Sequence, residues 1–143
     1  MIELEISIDV KKSPTEVFAF LSEFTNDARW QSDLVRVEKT SDGPVGVGST
    51  GLYVAKFLGQ DMKNDVVVTA FEEPRRFALK TTSGPIQFET VSILEPAGDG
   101  TRVTMTVKAE PGGFFKVAEG LLKKEAEKSL QRDSQKLKEV LGG

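Results

Sequence analysis

Glu89, Arg102, Glu125 and Ser129 are the side chains through which this chain could do acid-base chemistry or anchor a polar group, and what is missing around them narrows that chemistry. The chain has no histidine and no cysteine. Imidazole or thiolate metal sites, Ser-His-Asp triads and cysteine nucleophiles are therefore excluded. Any proton transfer falls to Asp, Glu, Lys, Tyr53 or water. No carboxylate pair is specified by spacing: Asp61, Asp65, Glu72, Glu73 and Glu89 lie on or beside strand-like segments. Alternation alone does not say which face of Gln87-Phe88-Glu89-Thr90 is interior. If Glu89 or Arg102 faced inward it would serve as a polar anchor or acid-base group; the alternative for each is a surface position. Glu125, Ser129 and Asp133 flank the apolar stripe of the last helix and either reach water at its edge or point into an interior space.

Trp30, Tyr53, Phe57, Phe71, Phe77, Phe88, Phe114 and Phe115 supply most of the aromatic surface. Each is compatible with an ordinary core; together they could line an apolar pocket in which a few polar groups orient a ligand. The strands lack the basic residues that would accompany base stacking. Gly43-Pro44-Val45-Gly46-Val47-Gly48 has the glycine content of a phosphate loop, but a strand follows it and no Lys-Ser or Lys-Thr pair closes it, so it reads as a flexible turn.

The elements that must position these residues are legible in the pattern. Ile2, Leu4, Ile6, Ile8 and Val10 alternate with Glu3, Glu5, Ser7, Asp9 and Lys11, which describes a strand with one wet, acidic face. Ser13-Pro14-Thr15-Glu16 carries a capping box with proline at the first helical position, and Val17, Phe18, Leu21 and Phe24 follow at helical spacing. Asn26 or Asp27 starts a second short helix carrying Trp30, or a plain turn. Six strands in series follow: Leu34 to Thr40, Ser49 to Phe57, Val66 to Phe71, Phe77 to Thr81, Ile86 to Leu94, and a last one through Val103 to Ala109. Gly59 and Asn64 bracket the connection before Val66. Loops this short imply an antiparallel meander. Beyond Pro111-Gly112-Gly113, a helix is expected from Phe114 to Leu141, about 40 Å long. Ala118, Leu122, Ala126 and Leu130 form its stripe, which Leu137 and Leu141 continue after Ser134 interrupts it. A sheet curled around such a helix could use its length.

The 143 residues make one domain. With 19 basic and 22 acidic residues the chain is mildly acidic, which argues against nucleic-acid binding. The segment from Phe114 onward has seven Lys or Arg against five acids and reads as a solvated face, with an anionic membrane or a partner surface as the alternative. No apolar run is long enough to span a membrane and no signal segment opens the chain, so cytoplasmic residence is the default expectation.

The order strand, capped short helix, helical turn with a tryptophan, meander and long terminal helix resembles the START-like (SRPBCC) superfamily. More narrowly it is similar to the bacterial polyketide cyclase/dehydrase and lipid-transport group. Ile8-Asp9-Val10, Ser13-Pro14-Thr15-Glu16-Val17-Phe18 and Asn26 to Trp30 carry the resemblance, with Gly46-Val47-Gly48, Glu95-Pro96, Gly100-Thr101 and Val103 as similar turns and strand starts. It implies an α+β helix-grip (START/Bet v 1-like) fold: a curved seven-stranded antiparallel sheet around a long C-terminal helix, with two short helices after the first strand. It implies a cavity wall drawn from Trp30, Tyr53, Phe57, Val68, Phe77, Phe88, Phe115, Leu122 and Ala126, with Glu89, Arg102, Glu125 and Ser129 as candidate polar lumen residues. It implies a hydrophobic or amphipathic ligand, such as a lipid or aromatic polyketide, held without metal or cofactor by a carrier or sensor. A cyclase or dehydratase is the first alternative and a protein-interaction module with a closed core the second. A weak homodimer is also left open.

Overall fold

Strand β1 (Ile2–Val10) follows its alternation closely: Ile2, Ile8 and Val10 are buried while Glu3, Glu5, Ser7 and Asp9 are exposed. The computed structural model describes residues 1–57 and 59–142, and of Phe57, Phe114 and Phe115 the backbone alone. After β1, Ser13 caps helix α1 (Pro14–Ser22); its hydroxyl accepts from the Glu16 N–H while the Glu16 carboxylate accepts from the Ser13 N–H, so two donors at the helix start are satisfied reciprocally. A 3-10 segment (Phe24–Arg29) delivers Trp30. The meander then runs through β2 (Leu34–Lys39), β3 (Thr50–Phe57), β4 (Gln60–Glu72), β5 (Arg76–Ser83), β6 (Ile86–Ala97) and β7 (Gly100–Pro111).

All seven strands form one antiparallel sheet in the order β1-β7-β6-β5-β4-β3-β2. Since β1 pairs with the last strand of the meander, β1 and β2 are the two edges, and α1 with the 3-10 segment carries the chain from one edge to the other. Helix α1 packs against β5, β6 and β7, and the 3-10 segment against β2. Helix α2 (Glu119–Val140) lies against β1. This is the helix-grip fold, a curled sheet closed by its terminal helix.

Strand β4, the terminal helix and Ser134 differ from expectation for identifiable reasons. Strand β4 begins at Gln60 instead of Val66, because Phe57 pairs directly with Gln60 around a positive-φ Gly59. The turn is therefore tight, and Asn64 lies inside the strand at a buried, inward position flanked by exposed Lys63 and Asp65. A polar residue at an inward site hid the alternation. The terminal helix is α-helical only from Glu119, since Ala118 offers no capping side chain and the chain enters through a 3-10 turn (Gly113–Ala118). Its 22 residues span about 33 Å. Ser134 does not interrupt the buried stripe; it is fully buried, and its hydroxyl is satisfied by the Gln131 carbonyl at 2.9 Å.

One packed core runs through the grip and takes in Leu21, Trp30, Tyr53, Phe77, Leu79 and Met105 on the cavity wall. Val10, Val17, Phe18, Phe24, Val66, Val68 and Val103 pack in it with Leu137 and Leu141 from the end of the chain. Edge-to-face contacts of Phe18 with Phe71 and Phe77, at 5.1 and 6.5 Å between centroids, knit α1 to β4 and β5. The second half of α2 is thereby anchored. Its first half, carrying Ala126, Ser129 and Leu130, is not packed into that core.

Candidate functional site

Between that first half of α2 and the inner face of the sheet lies a cavity of about 300 Å³. It exists because small or polar side chains stand where large apolar ones would close the space: Ala126 and Ser129 on α2, Ala55 on β3, Thr90 and Ser92 on β6. The remaining wall is mainly apolar, with Leu4, Leu21, Leu34, Phe77, Leu79 and Phe88 prominent. Exposed Asp33 marks where the cavity approaches solvent, beside the loop leading into β2. There the Ser129 hydroxyl donates to Asp33 at 2.9 Å and Arg132 to the same carboxylate at 3.2 Å, while Asp133 accepts from the Ser32 N–H and hydroxyl. These contacts tie helix to loop across the mouth.

Of the side chains expected in the wall, the structure brings together Trp30, Tyr53, Phe77, Phe88, Ala126 and Ser129. Val68 belongs to the packed core instead, and Leu122 is buried without reaching the cavity. The side chains of Phe57 and Phe115 lie outside the described residues. Three of the four polar lumen candidates face away. Phe88, Thr90 and Ser92 point inward, so the pleat turns Glu89 outward, in register with Lys80 and Lys108 on the neighbouring strands. Arg102 is on the outer face too, where it grips Asp9 through two hydrogen bonds of 2.9 and 3.3 Å. The guanidinium holds the Asp9 carboxyl below the usual carboxylate range, through hydrogen bonding first. Glu125 is exposed beside Lys128. Only Ser129 reaches the cavity, at its mouth.

At the polar centre of the cavity Tyr53, expected there from sequence, meets Asp27, which was not singled out for chemistry. Asp27 is only 9% exposed, and Tyr53 donates to its Oδ2 at 2.5 Å. Burial pushes the Asp27 carboxyl up to about 7, against the opposing pull of the Tyr53 hydrogen bond and the nearby Trp30 indole. Burial and the adjacent carboxylate push the Tyr53 phenol well above its ordinary value. The Trp30 N–H of the backbone bonds the Asp27 carbonyl at 3.2 Å, so the two side chains stem from one turn. The buried indole Nε1 lies beside the Asp27 carboxylate, and the buried Oδ1 of Asn64, at the position paired with Tyr53 on the neighbouring strand, packs against Gly84 without a hydrogen-bond partner. The one signal in the sequence was an acid three residues before the single tryptophan, in a segment otherwise apolar at Phe24, Ala28 and Trp30. Among the described residues, no cluster of acidic side chains could hold a metal ion.

Residues 1–142 match the model of the polyketide cyclase / dehydrase and lipid transport family. The chain belongs to that family. Among solved structures, it is similar to a START superfamily protein from Mycobacterium smegmatis (TM-score 0.79, 14% identity, covering 97% of this chain and 96% of that one). It is likewise similar to the protein TTHA0849 from Thermus thermophilus (0.76, 20%, 97% and 93%) and to a conserved protein from Geobacillus kaustophilus (0.73, 20%, 98% and 95%). No functionally curated protein matches the sequence. Family and fold are those of a START/Bet v 1-like hydrophobic-ligand-binding domain. No helix among the described residues is long and apolar enough to cross a membrane.

Proposed function

We propose that this family member is a carrier or sensor that encloses one hydrophobic or amphipathic small molecule between α2 and the sheet. The observation that carries the reading is the cavity of about 300 Å³, walled mainly by apolar side chains with the Asp27–Tyr53 pair on its wall. Apolar walls supply affinity at about 25 cal/mol per Å² buried, before ordering costs. A few polar groups supply orientation. An interaction module would be expected to have a collapsed interior, and this interior is not collapsed. Native mass spectrometry and thermal shift against lipid and aromatic panels test the reading. A bound species at one-to-one stoichiometry supports it; silence across the panels counts against it.

One observation favours a second reading, catalysis of the cyclase or dehydratase type. Asp27 titrates near neutrality, on the cavity wall and in contact with a phenol, which suits a group that accepts and returns a proton. On that reading Asp27→Asn lowers turnover far more than it weakens binding; equal losses in both leave the carrier.

A further inference from the structure

The space between α2 and the sheet is marked by the sign of its charge as well as by its apolar wall. Among the described residues, the ionisable side chains on that wall are Asp27, Asp33, Tyr53 and Asp133, with no Lys or Arg. At the mouth, Arg132 is shared between the Asp33 and Asp133 carboxylates at 3.2 and 3.4 Å, so two acids there face one cation. Deeper in, Asp27 accepts from the Tyr53 hydroxyl and lies beside the Trp30 indole. Both neighbours are neutral donors. They spread the charge of the carboxylate without cancelling it, and burial leaves its affinity for a proton raised.

That charge acts on whatever fills the cavity, whether or not the two touch, because an apolar wall screens far less than water does. A ligand carboxylate or phosphate would give up its hydration, meet only acids and gain no counter-charge. An ammonium gives up its hydration too, but gains Asp27 in return. The aromatic wall adds a bias of the same sign. Tyr53 and Phe88 stand edge to face with centroids 6.4 Å apart, and Phe77 lines the same space. Ring faces are negative and attract cations. Resting on the container reading above, we propose that the cavity takes an apolar molecule carrying an amine, held as its ammonium, in preference to the matching carboxylate. Asp27 sets the preference from within the wall, and the apolar side chains hold the rest of the molecule.

The test compares decylammonium, decanoate and 1-decanol by isothermal titration calorimetry and thermal shift at pH 8. The two ions share a chain length and differ in sign, while the alcohol probes the container without charge. Decylammonium is expected to bind at least about tenfold tighter than decanoate, the size of effect that one nearby opposite charge has on an ionisation equilibrium. Asp27→Asn removes the charge and keeps the side-chain shape, so the ratio should fall to within about threefold. An unchanged ratio in that variant overturns Asp27 as the source of the preference. Decanoate binding as tightly as decylammonium in the parent overturns the preference by itself, whether or not the variant folds. Binding of decanol alone also overturns it, and leaves the container intact. Silence from all three overturns the container, and the preference with it.

Discussion

At the scale of single residues, the chemistry of this chain converges on Asp27. Its carboxyl is held near 7 by burial, against 3.8 when solvated, so the folded protein keeps a proton there that the unfolded chain releases. A raised folded value means the neutral acid costs nothing below about pH 4. The penalty then grows as pH rises to about 7 and stays constant above it. Asp27→Asn should therefore be more stable than the parent at pH 8, by up to about 4 kcal/mol, and equal to it at pH 4. Urea unfolding of both proteins across that range isolates this group from the exposed acids, Asp9, Glu110 and Glu119, whose lowered values slope the other way. A pH-independent difference would mean that Asp27 is solvated. Sequence made this residue hard to see because an acid in a short turn reads as a helix start or a surface group. What makes it a site residue is a partner 26 positions away, brought there by β3. Glu89 and Arg102 failed for the complementary reason: period two says that neighbours face opposite ways, but not which face is inside.

At the scale of elements, legibility tracked local chemistry. The alternation of β1 and the capping box of α1 are written in adjacent residues and folded as read. Ser13→Ala should cost about 1 kcal/mol, or roughly 2–4 °C in Tm, because the hydroxyl that accepts from the Glu16 N–H is lost while the backbone N–H of residue 13 keeps its bond to the Glu16 carboxylate. A change within 0.5 °C in a melting scan would show that α1 is held by packing alone. Helix α2 was legible as an apolar stripe, but not its division of labour. Leu137 and Leu141 lock its end into the core, whereas Ala126 and Ser129 leave room beneath its beginning. Across the mouth, Arg132 and Asp33 are both half exposed, so their pairing adds little to stability. Arg132→Ala should leave unfolding within about 1 kcal/mol yet release a bound ligand faster in stopped-flow displacement. Unchanged release would mean that ligands leave by another route.

At the scale of the whole molecule, the cavity sets stability against use. An empty void of 300 Å³ would cost about 7 kcal/mol on the scale found for engineered cavities, comparable with the entire stability of a domain this size. The helix-grip design tolerates that deficit because the core around Phe18 and Val103 holds α2 through Leu137 and Leu141, well along the helix from Ala126. Filling the space and occupying it with a ligand should therefore be alternatives. Ala126→Leu places a larger side chain on the cavity wall and is expected to raise the Tm of the free protein by a few degrees, the usual gain of cavity filling. A ligand at a hundred times its Kd should stabilise the parent by about 2.7 kcal/mol and the filled variant hardly at all. Scanning calorimetry of both proteins, with and without ligand, measures the four values. If Ala126→Leu gained stability and kept the full ligand shift, the ligand would be held elsewhere than between α2 and the sheet.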